Sequence, residues 1–286
     1  MRIIEKSENV FLFKSLIILL VPWIILAIIF GLFDLEISNL FVDFSSIWGT
    51  FGADFGEAPG FALIGISVVS LIGGLIKKVK LQKIPAFVIS TAGIGVMIYG
   101  FVSRERKISI ISGIIALSIL IFALVKFHVD WKRYRRFAGI IVLLTIFNPL
   151  IFVQITKLLC GRVRYRDLAK IGFEYYRPWY LPPGPTMKHA SFPSGHTAMG
   201  WMLLPLIIYI REKKLAKSLE IYLITSIIYW GLFVAVSRII MGAHFASDVL
   251  FSTGMAFIVT ILLYYFFYLK KKLSHDTKEQ NRLFLK

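Results

Sequence analysis

Two histidines stand where polar side chains gather at the ends of apolar segments. His196 follows a turn-forming run at 192–195, and His244 precedes Asp248 by four residues. Residues four apart lie on one face of a helix, so we expect the Asp248 carboxylate to orient the His244 ring. A histidine held in this way can act as a nucleophile or carry a proton near neutral pH.

Cationic and helix-opening residues in the same region predict an anion site. Lys157 and Arg164 are seven residues apart and would share one face if a single helix continued through both. Arg238 ends a later apolar segment. Ser194 and Gly195 open a helix, where free backbone N–H groups suit phosphate oxygens. The predicted phosphate-binding set is Lys157, Arg164, Ser194, Gly195 and Arg238.

The composition places these residues in a membrane protein. Of the 286 residues, 57% are hydrophobic and 17% are charged, and the mean hydropathy is +0.76. Those values lie well outside the range of soluble globular proteins. A basic excess in a membrane protein usually lies in cytoplasmic loops beside anionic lipid, so the net charge of +17 does not indicate a nucleic-acid partner. The single cysteine, Cys160, excludes an internal disulfide and a cysteine-based metal site.

Apolar runs predict an all-α polytopic bundle of about eight transmembrane helices, with the catalytic core in the C-terminal half. We divide the chain into an N-terminal membrane region at 1–136, a core at 137–270 and a basic cytoplasmic tail at 271–286. Apolar and acidic residues interleave at 32–60, which predicts an external interfacial loop with a short amphipathic helix in the membrane plane. The predicted spans lie at about 11–31, 61–76, 84–102, 108–125, 137–156, 197–210, 221–236 and 249–269.

Lysine and arginine set the orientation of these spans. They concentrate at 77–83, 126–136 and 211–217, so we expect these loops, the tail and both termini to be cytoplasmic. The histidines then lie at the outer face of the cell membrane. One turn, 104–107, disagrees because it carries three basic residues and would be external.

The residues described above resemble, in order and spacing, the three signature motifs of the type 2 phosphatidic acid phosphatase superfamily. The likeness covers about 150–250, and the motifs read Lys-x6-Arg from Lys157, Pro-Ser-Gly-His from Pro193 and Ser-Arg-x5-His-x3-Asp from Ser237. Two features depart from the family pattern. Tyr165 stands where the family has proline, and the family commonly has six spans, which leaves the pair at 84–125 without an assigned role.

The resemblance implies a membrane lipid phosphatase that needs no metal or other cofactor. By it, His244 attacks phosphorus to form a phosphohistidine, and Asp248 fixes the tautomer of His244. His196 protonates the leaving oxygen and then activates water. The substrate would be a lipid phosphate or pyrophosphate of the undecaprenyl pyrophosphate, phosphatidic acid, diacylglycerol pyrophosphate or phosphatidylglycerol phosphate type, drawn from the surrounding membrane lipids.

Two alternatives stay open. A phosphotransferase would pass the phosphoryl group from His244 to a lipid or sugar acceptor, because water and an alcohol compete for one phosphoenzyme. A transporter or scaffold could retain the fold, although such a protein would not need the pair of His244 and Asp248 with His196 opposite. The sequence does not indicate an oligomeric state.

Overall fold

The computed structural model describes residues 2–186, 189–213 and 215–269, and within these ranges the chain is helical and contains no β-strand. The all-α bundle is therefore confirmed. The predicted tail at 271–286 lies outside the described residues. The helices are α1 (Arg2–Phe41), α2 (Ile47–Phe55), α3 (Ala58–Leu75), α4 (Ile84–Val102), α5 (Arg106–Val125), α6 (Arg135–Thr145), α7 (Val153–Cys160), α8 (Tyr165–Ile171), α9 (Gly195–Gly200), α10 (Leu206–Glu212), α11 (Lys217–Ile240) and α12 (Ala246–Tyr264).

In the described ranges, seven helical segments are long and apolar enough to cross a membrane. The pass predicted at 197–210 is not among them. It consists of α9, a 3-10 turn at Trp201–Leu203 and α10, and each piece alone is too short to span a bilayer. Pro205 stands directly before α10. Proline is tolerated at the start of a helix, but its missing N–H and its ring would disrupt a helix that continued through this position. The seven segments are Leu12–Phe41, Ile47–Leu75, Leu81–Val102, Arg106–Val125, Trp131–Ile171, Lys217–Ile240 and Ala246–Leu269.

The segment 32–60, predicted as an external interfacial loop with one short amphipathic helix, contains more helix than predicted, while its position relative to the membrane stays a prediction. Helix α1 continues to Phe41, and only five residues separate it from α2. The interleaved acidic residues reflect the two faces of α1, with Asp34 and Ser38 buried while Leu40 is exposed. Helix α2 packs on α11, and α2 and α3 together form one candidate span, Ile47–Leu75.

The three basic loops meet at one end of the bundle. The Gln82 side chain donates to Asp130 Oδ1 (2.8 Å), and Lys83 Nζ donates to the Val129 carbonyl (2.7 Å), which joins the first loop to the second. The second and third loops share a pocket of about 470 Å³. Its basic lining residues are Lys132, Arg133, Arg136 and Lys213.

The basic turn at 104–107 lies at the opposite end. Lys107 Nζ forms an ion pair with Asp54 Oδ1 of α2 (2.5 Å). A Cβ placed on Gly52, in the same helix, would meet Ser237 near the end of α11. This turn and the motif residues therefore share one end of the bundle.

The extra pair α4 and α5 forms a hairpin that packs on α3. Its buried cluster contains Val69 of α3, Ala86 of α4 and Ile119 of α5. A separate cluster joins α6, α9 and α12 through Ile141, Met199 and Val259, among others. The extra pair therefore enlarges the bundle on the side of α3 and leaves the core helices in contact with one another.

Candidate active site

The motif segments meet where α7 and α11 end and α9 and α12 begin. Lys157 is in the last turn of α7, and its Nζ is 3.5 Å from the position that a Cβ on Gly195 would occupy. The Ser194 N–H donates to the Asp248 carbonyl (3.1 Å), which fixes the start of α9 against α12. Four predicted site residues, contributed by α7, α9 and α12, therefore lie within one small region.

The expectation that Lys157 and Arg164 share one helix face is wrong. Gly161 adopts φ +55° and ends α7, with its N–H donating to the Lys157 carbonyl (3.3 Å). A side chain at this position would overlap the carbonyl oxygen of Gly184. Arg164 follows in extended conformation and precedes α8, so the cation reaches the site from a loop.

Tyr165, which stands where the family has proline, occupies the first helical position of α8. Proline is favoured at that position because the N–H there has no intrahelical partner in any case. Another residue therefore costs little backbone stability. The Tyr165 hydroxyl donates to Asn39 Oδ1 (2.8 Å), which ties α8 to α1.

The guanidinium groups of Arg164 and Arg238 are incompletely hydrogen-bonded. The Nε atoms of both are buried, and within the described part of the chain neither has a hydrogen-bond partner. Leaving a buried charged donor unpaired is costly, so a site of this kind favours a bound anion. The Nε–H groups of these two predicted cations could thus donate hydrogen bonds to phosphate oxygens.

His196 is surrounded by these cations. Burial, followed by the positive charge of Arg238 and with contributions from Lys157 and Arg164, lowers the pKa of His196 to about 3. Its Nδ1 is 3.5 Å from Glu57 Oε1, at the junction of α2 and α3. The sequence analysis missed Glu57, although an acidic residue at the start of an apolar span is a signal that could have identified it.

His244 is buried and held in one tautomer. Its Nδ1 is 2.6 Å from the Ser191 carbonyl, which can only accept, so the proton is on Nδ1 and Nε2 carries the free lone pair. Asp248 Oδ2 is 3.6 Å from the same nitrogen. The Ser191 carbonyl is the nearer acceptor of the Nδ1 proton, and Asp248 places a negative charge beside the same nitrogen. The role of Asp248 in fixing the tautomer stays a prediction. Burial lowers the pKa of His244 to about 4.

Ser194 acts as the N-cap of α9. Its Oγ accepts from the Thr197 N–H (3.3 Å) and from Thr197 Oγ1 (2.9 Å), while its carbonyl accepts from Ser252 Oγ (2.7 Å). The contact of Ser194 and Gly195 with phosphate stays a prediction. Among the described residues, no three histidine, cysteine, aspartate or glutamate side chains form a group that could hold a metal ion.

The sequence analysis also assigned no role to Arg162, which is 1% exposed. Its guanidinium donates to Asp248 Oδ1 (2.6 Å) and to Asp34 Oδ2 of α1 (2.9 Å). Three arginines alternate at 162, 164 and 166, and this pattern by itself does not indicate which of them is buried. The carboxylate partner in α1 is 128 residues away, so no local motif connects the two.

Comparison with known proteins agrees with the motif assignment. Residues 137–272 match the family model of the PAP2 superfamily. Phosphatidylglycerophosphatase B of Haemophilus influenzae is 34% identical over an alignment of 111 residues, and the match covers 36% of this chain and 45% of that protein. The chain thus covers less than half of that relative's length, and no solved structure matches. All three motifs, from Lys157 to Asp248, lie within the matched segment, so through residues 137–272 this chain belongs to the PAP2 superfamily.

Proposed function

We propose that the protein is an integral membrane phosphatase that removes phosphate from a lipid phosphate or lipid pyrophosphate. One observation carries the proposal: the buried Nε atoms of Arg164 and Arg238 lack partners in the described structure, beside a histidine with a free Nε2. Buried cationic donors without a hydrogen-bond partner suit a phosphoryl group, whose transfer is catalysed mainly by positioning and charge stabilisation.

The first half of the reaction forms a phosphoenzyme. His244 Nε2 attacks phosphorus, a P–N bond forms, and the P–O bond to the lipid breaks in line with it. Lys157, Arg164 and Arg238 take up the charge on the remaining oxygens. His196 donates its proton to the departing lipid oxygen, which leaves as an alcohol or as a lipid phosphate.

The second half returns the enzyme to its starting state. His196, now neutral, accepts a proton from water as the water oxygen attacks phosphorus. The P–N bond breaks and inorganic phosphate leaves, with the lone pair restored to Nε2. The low pKa of His196 refers to the site without substrate, and a phosphate dianion beside it would favour its protonated form.

The class of substrate follows from the membrane setting and from the relative. A site at the end of a bundle of apolar helices is accessible to headgroups of lipids in the same bilayer. The relative from Haemophilus influenzae is named for the phosphatase reaction on phosphatidylglycerophosphate. The candidate substrates are phosphatidylglycerol phosphate, phosphatidic acid, diacylglycerol pyrophosphate and undecaprenyl pyrophosphate.

The site is proposed to face outward. The three basic loops meet at the end of the bundle opposite to the motif residues. Basic loops are retained on the cytoplasmic side, which assigns the other end to the extracellular or periplasmic face. Both termini are then cytoplasmic.

The test is phosphate release by the purified protein in detergent against a panel of lipid phosphates, with and without EDTA. We expect activity in EDTA, its loss in His244→Ala, and an alkali-stable, acid-labile phosphoenzyme in wild type. His128→Ala, at the basic end of the bundle, is the matched control. Absence of phosphate release from every lipid, or full activity of folded His244→Ala, would overturn the proposal. Release that depends on an added alcohol or sugar would identify a phosphotransferase.

A further inference from the structure

Arg162 is the central residue of a buried polar network that adjoins the candidate active site. Its Nε donates to the Arg177 carbonyl (2.9 Å), while one terminal nitrogen donates to Asp248 Oδ1 (2.6 Å) and to Ser247 Oγ (2.8 Å). The Phe245 ring lies 4.1 Å from the guanidinium carbon. In-plane hydrogen bonds and a ring on one face leave this guanidinium a single orientation.

Arg162 holds both partners of the His244 ring. Its side chain fixes Asp248, whose other oxygen accepts from Ser191 Oγ and from the Phe245 N–H (2.9 Å). Its backbone carbonyl accepts from the Ser191 N–H (2.9 Å), and the Ser191 carbonyl accepts the His244 proton (2.6 Å). A shift of Arg162 would therefore move both groups that aim Nε2.

Asp34 fixes Arg162 from the opposite side. Its carboxylate accepts from Arg162 (2.9 Å), from the Ser247 N–H (2.9 Å) and from Ser247 Oγ. The side chains of Asp34, Arg162 and Asp248 are all at most 1% exposed. One guanidinium thus bridges two carboxylates that water does not reach, and without it these two acidic groups would face each other in a low dielectric with no cation between them.

We infer that Asp34 and Arg162 are positioning residues for His244, so that a carboxylate of α1, outside the segment matched to the family, sets the orientation of the nucleophile. This inference rests on the proposed function, because its readout is turnover of a lipid phosphate. It assigns to the N-terminal helix a part in the reaction beyond packing.

The experiment is a double-mutant cycle of Arg162→Gln and Asp34→Asn, with kcat and KM measured separately on the best lipid phosphate. Misplacing a catalytic group by about 1 Å costs roughly 100-fold in rate, and we expect that loss in kcat for Arg162→Gln. Asp34→Asn alone should lose about tenfold, since the second anchor of the guanidinium is weakened. KM should stay within about twofold, because neither residue is a phosphate ligand.

The double variant decides between positioning and mere packing. Removing the Asp34 charge in the Arg162→Gln background relieves the repulsion with Asp248, so kcat should rise by about tenfold over that of Arg162→Gln alone. Arg162→Lys, which keeps the charge, should recover part of the loss. A purely structural role predicts instead that the two losses multiply and that thermal stability falls in proportion.

Two exposed residues provide matched controls. Glu36→Gln, two positions along α1 from Asp34, and Arg133→Gln, at the basic end, should leave kcat unchanged. If Arg162→Gln does not fold, Arg162→Lys and Asp34→Asn decide, and full kcat in both refutes the inference. Multiplying losses also refute it. If wild type releases no phosphate, or folded His244→Ala equals wild type, the proposed function fails instead.

Discussion

Replacing Glu57 by glutamine tests how His196 is prepared to donate a proton. The change keeps the size and shape of the side chain and removes one negative charge located 3.5 Å from His196 Nδ1. We expect a carboxylate at this distance to favour the protonated ring, which is the form needed when the lipid oxygen leaves, although Glu57 also interacts with Arg238 and Lys157. We therefore expect Glu57→Gln to slow the first half of the reaction.

The distance and exposure set the size of the effect. Two unit charges 3.5 Å apart interact by about 5 kcal/mol at an effective dielectric of 20 and by about 1 kcal/mol in bulk water. The two side chains are 32% and 24% exposed, so solvent screens the pair and the lower part of this range applies. About 1–2 kcal/mol corresponds to a loss of roughly 5- to 30-fold in rate.

The assay compares two leaving groups in single turnover. A lipid alkoxide needs the proton, whereas p-nitrophenolate leaves without one, so Glu57→Gln should slow release of the lipid and barely affect release of p-nitrophenol. Glu36→Gln is the control for loss of an exposed carboxylate. Equal slowing with both substrates would refute the reasoning and would indicate that Glu57 acts on phosphate binding or on folding.

Three further predictions concern pH, backbone and topology. Because burial lowers the pKa of His244 to about 4 and only the neutral ring attacks, the acid limb of kcat/KM assigned to His244 should lie near pH 4, and a limb near its ordinary value of 6.5 would contradict this. Gly161→Ala should lower stability by about 1–3 kcal/mol in thermal unfolding, because φ is +55° there; Gly139→Ala, with open space at its Cβ, should not. In a Cys160→Ala background, a membrane-impermeant thiol reagent should label Ser103→Cys but not Lys78→Cys in intact cells, and the reverse pattern would invert the topology.

The long apolar helices could be predicted because each bilayer span requires a run of apolar residues whatever its neighbours. The alternation of basic loops likewise anticipated which loops lie at one end. The pass at 197–210 differs, since its composition is apolar but Pro205 and the turn before it interrupt the helix. Hydropathy measures composition and does not detect such a break.

The motif residues could be named because their spacing is local, but their geometry could not. Lys157 and Arg164 were assigned to one helix face, and the Cys160-Gly161 pair that ends α7 was the overlooked signal. The spacing of four residues predicted that Asp248 orients the His244 ring, and the family resemblance implied that Asp248 fixes its tautomer. The nearer acceptor, the Ser191 carbonyl, is a backbone atom 53 residues away, and no residue type in the sequence marks it.

The two carboxylates that were not predicted from the sequence lie on helices that precede the segment matched to the family. Asp34 and Glu57 belong to α1 and to the start of α3, outside residues 137–272, which contain all the cations and both histidines of the site. Asp34 accepts a hydrogen bond from Arg162, and Glu57 lies 3.5 Å from His196 and also interacts with Arg238. The motifs alone therefore do not describe the whole site, and on the proposed function we expect the helices before residue 137 to take part in proton transfer and in orienting the nucleophile.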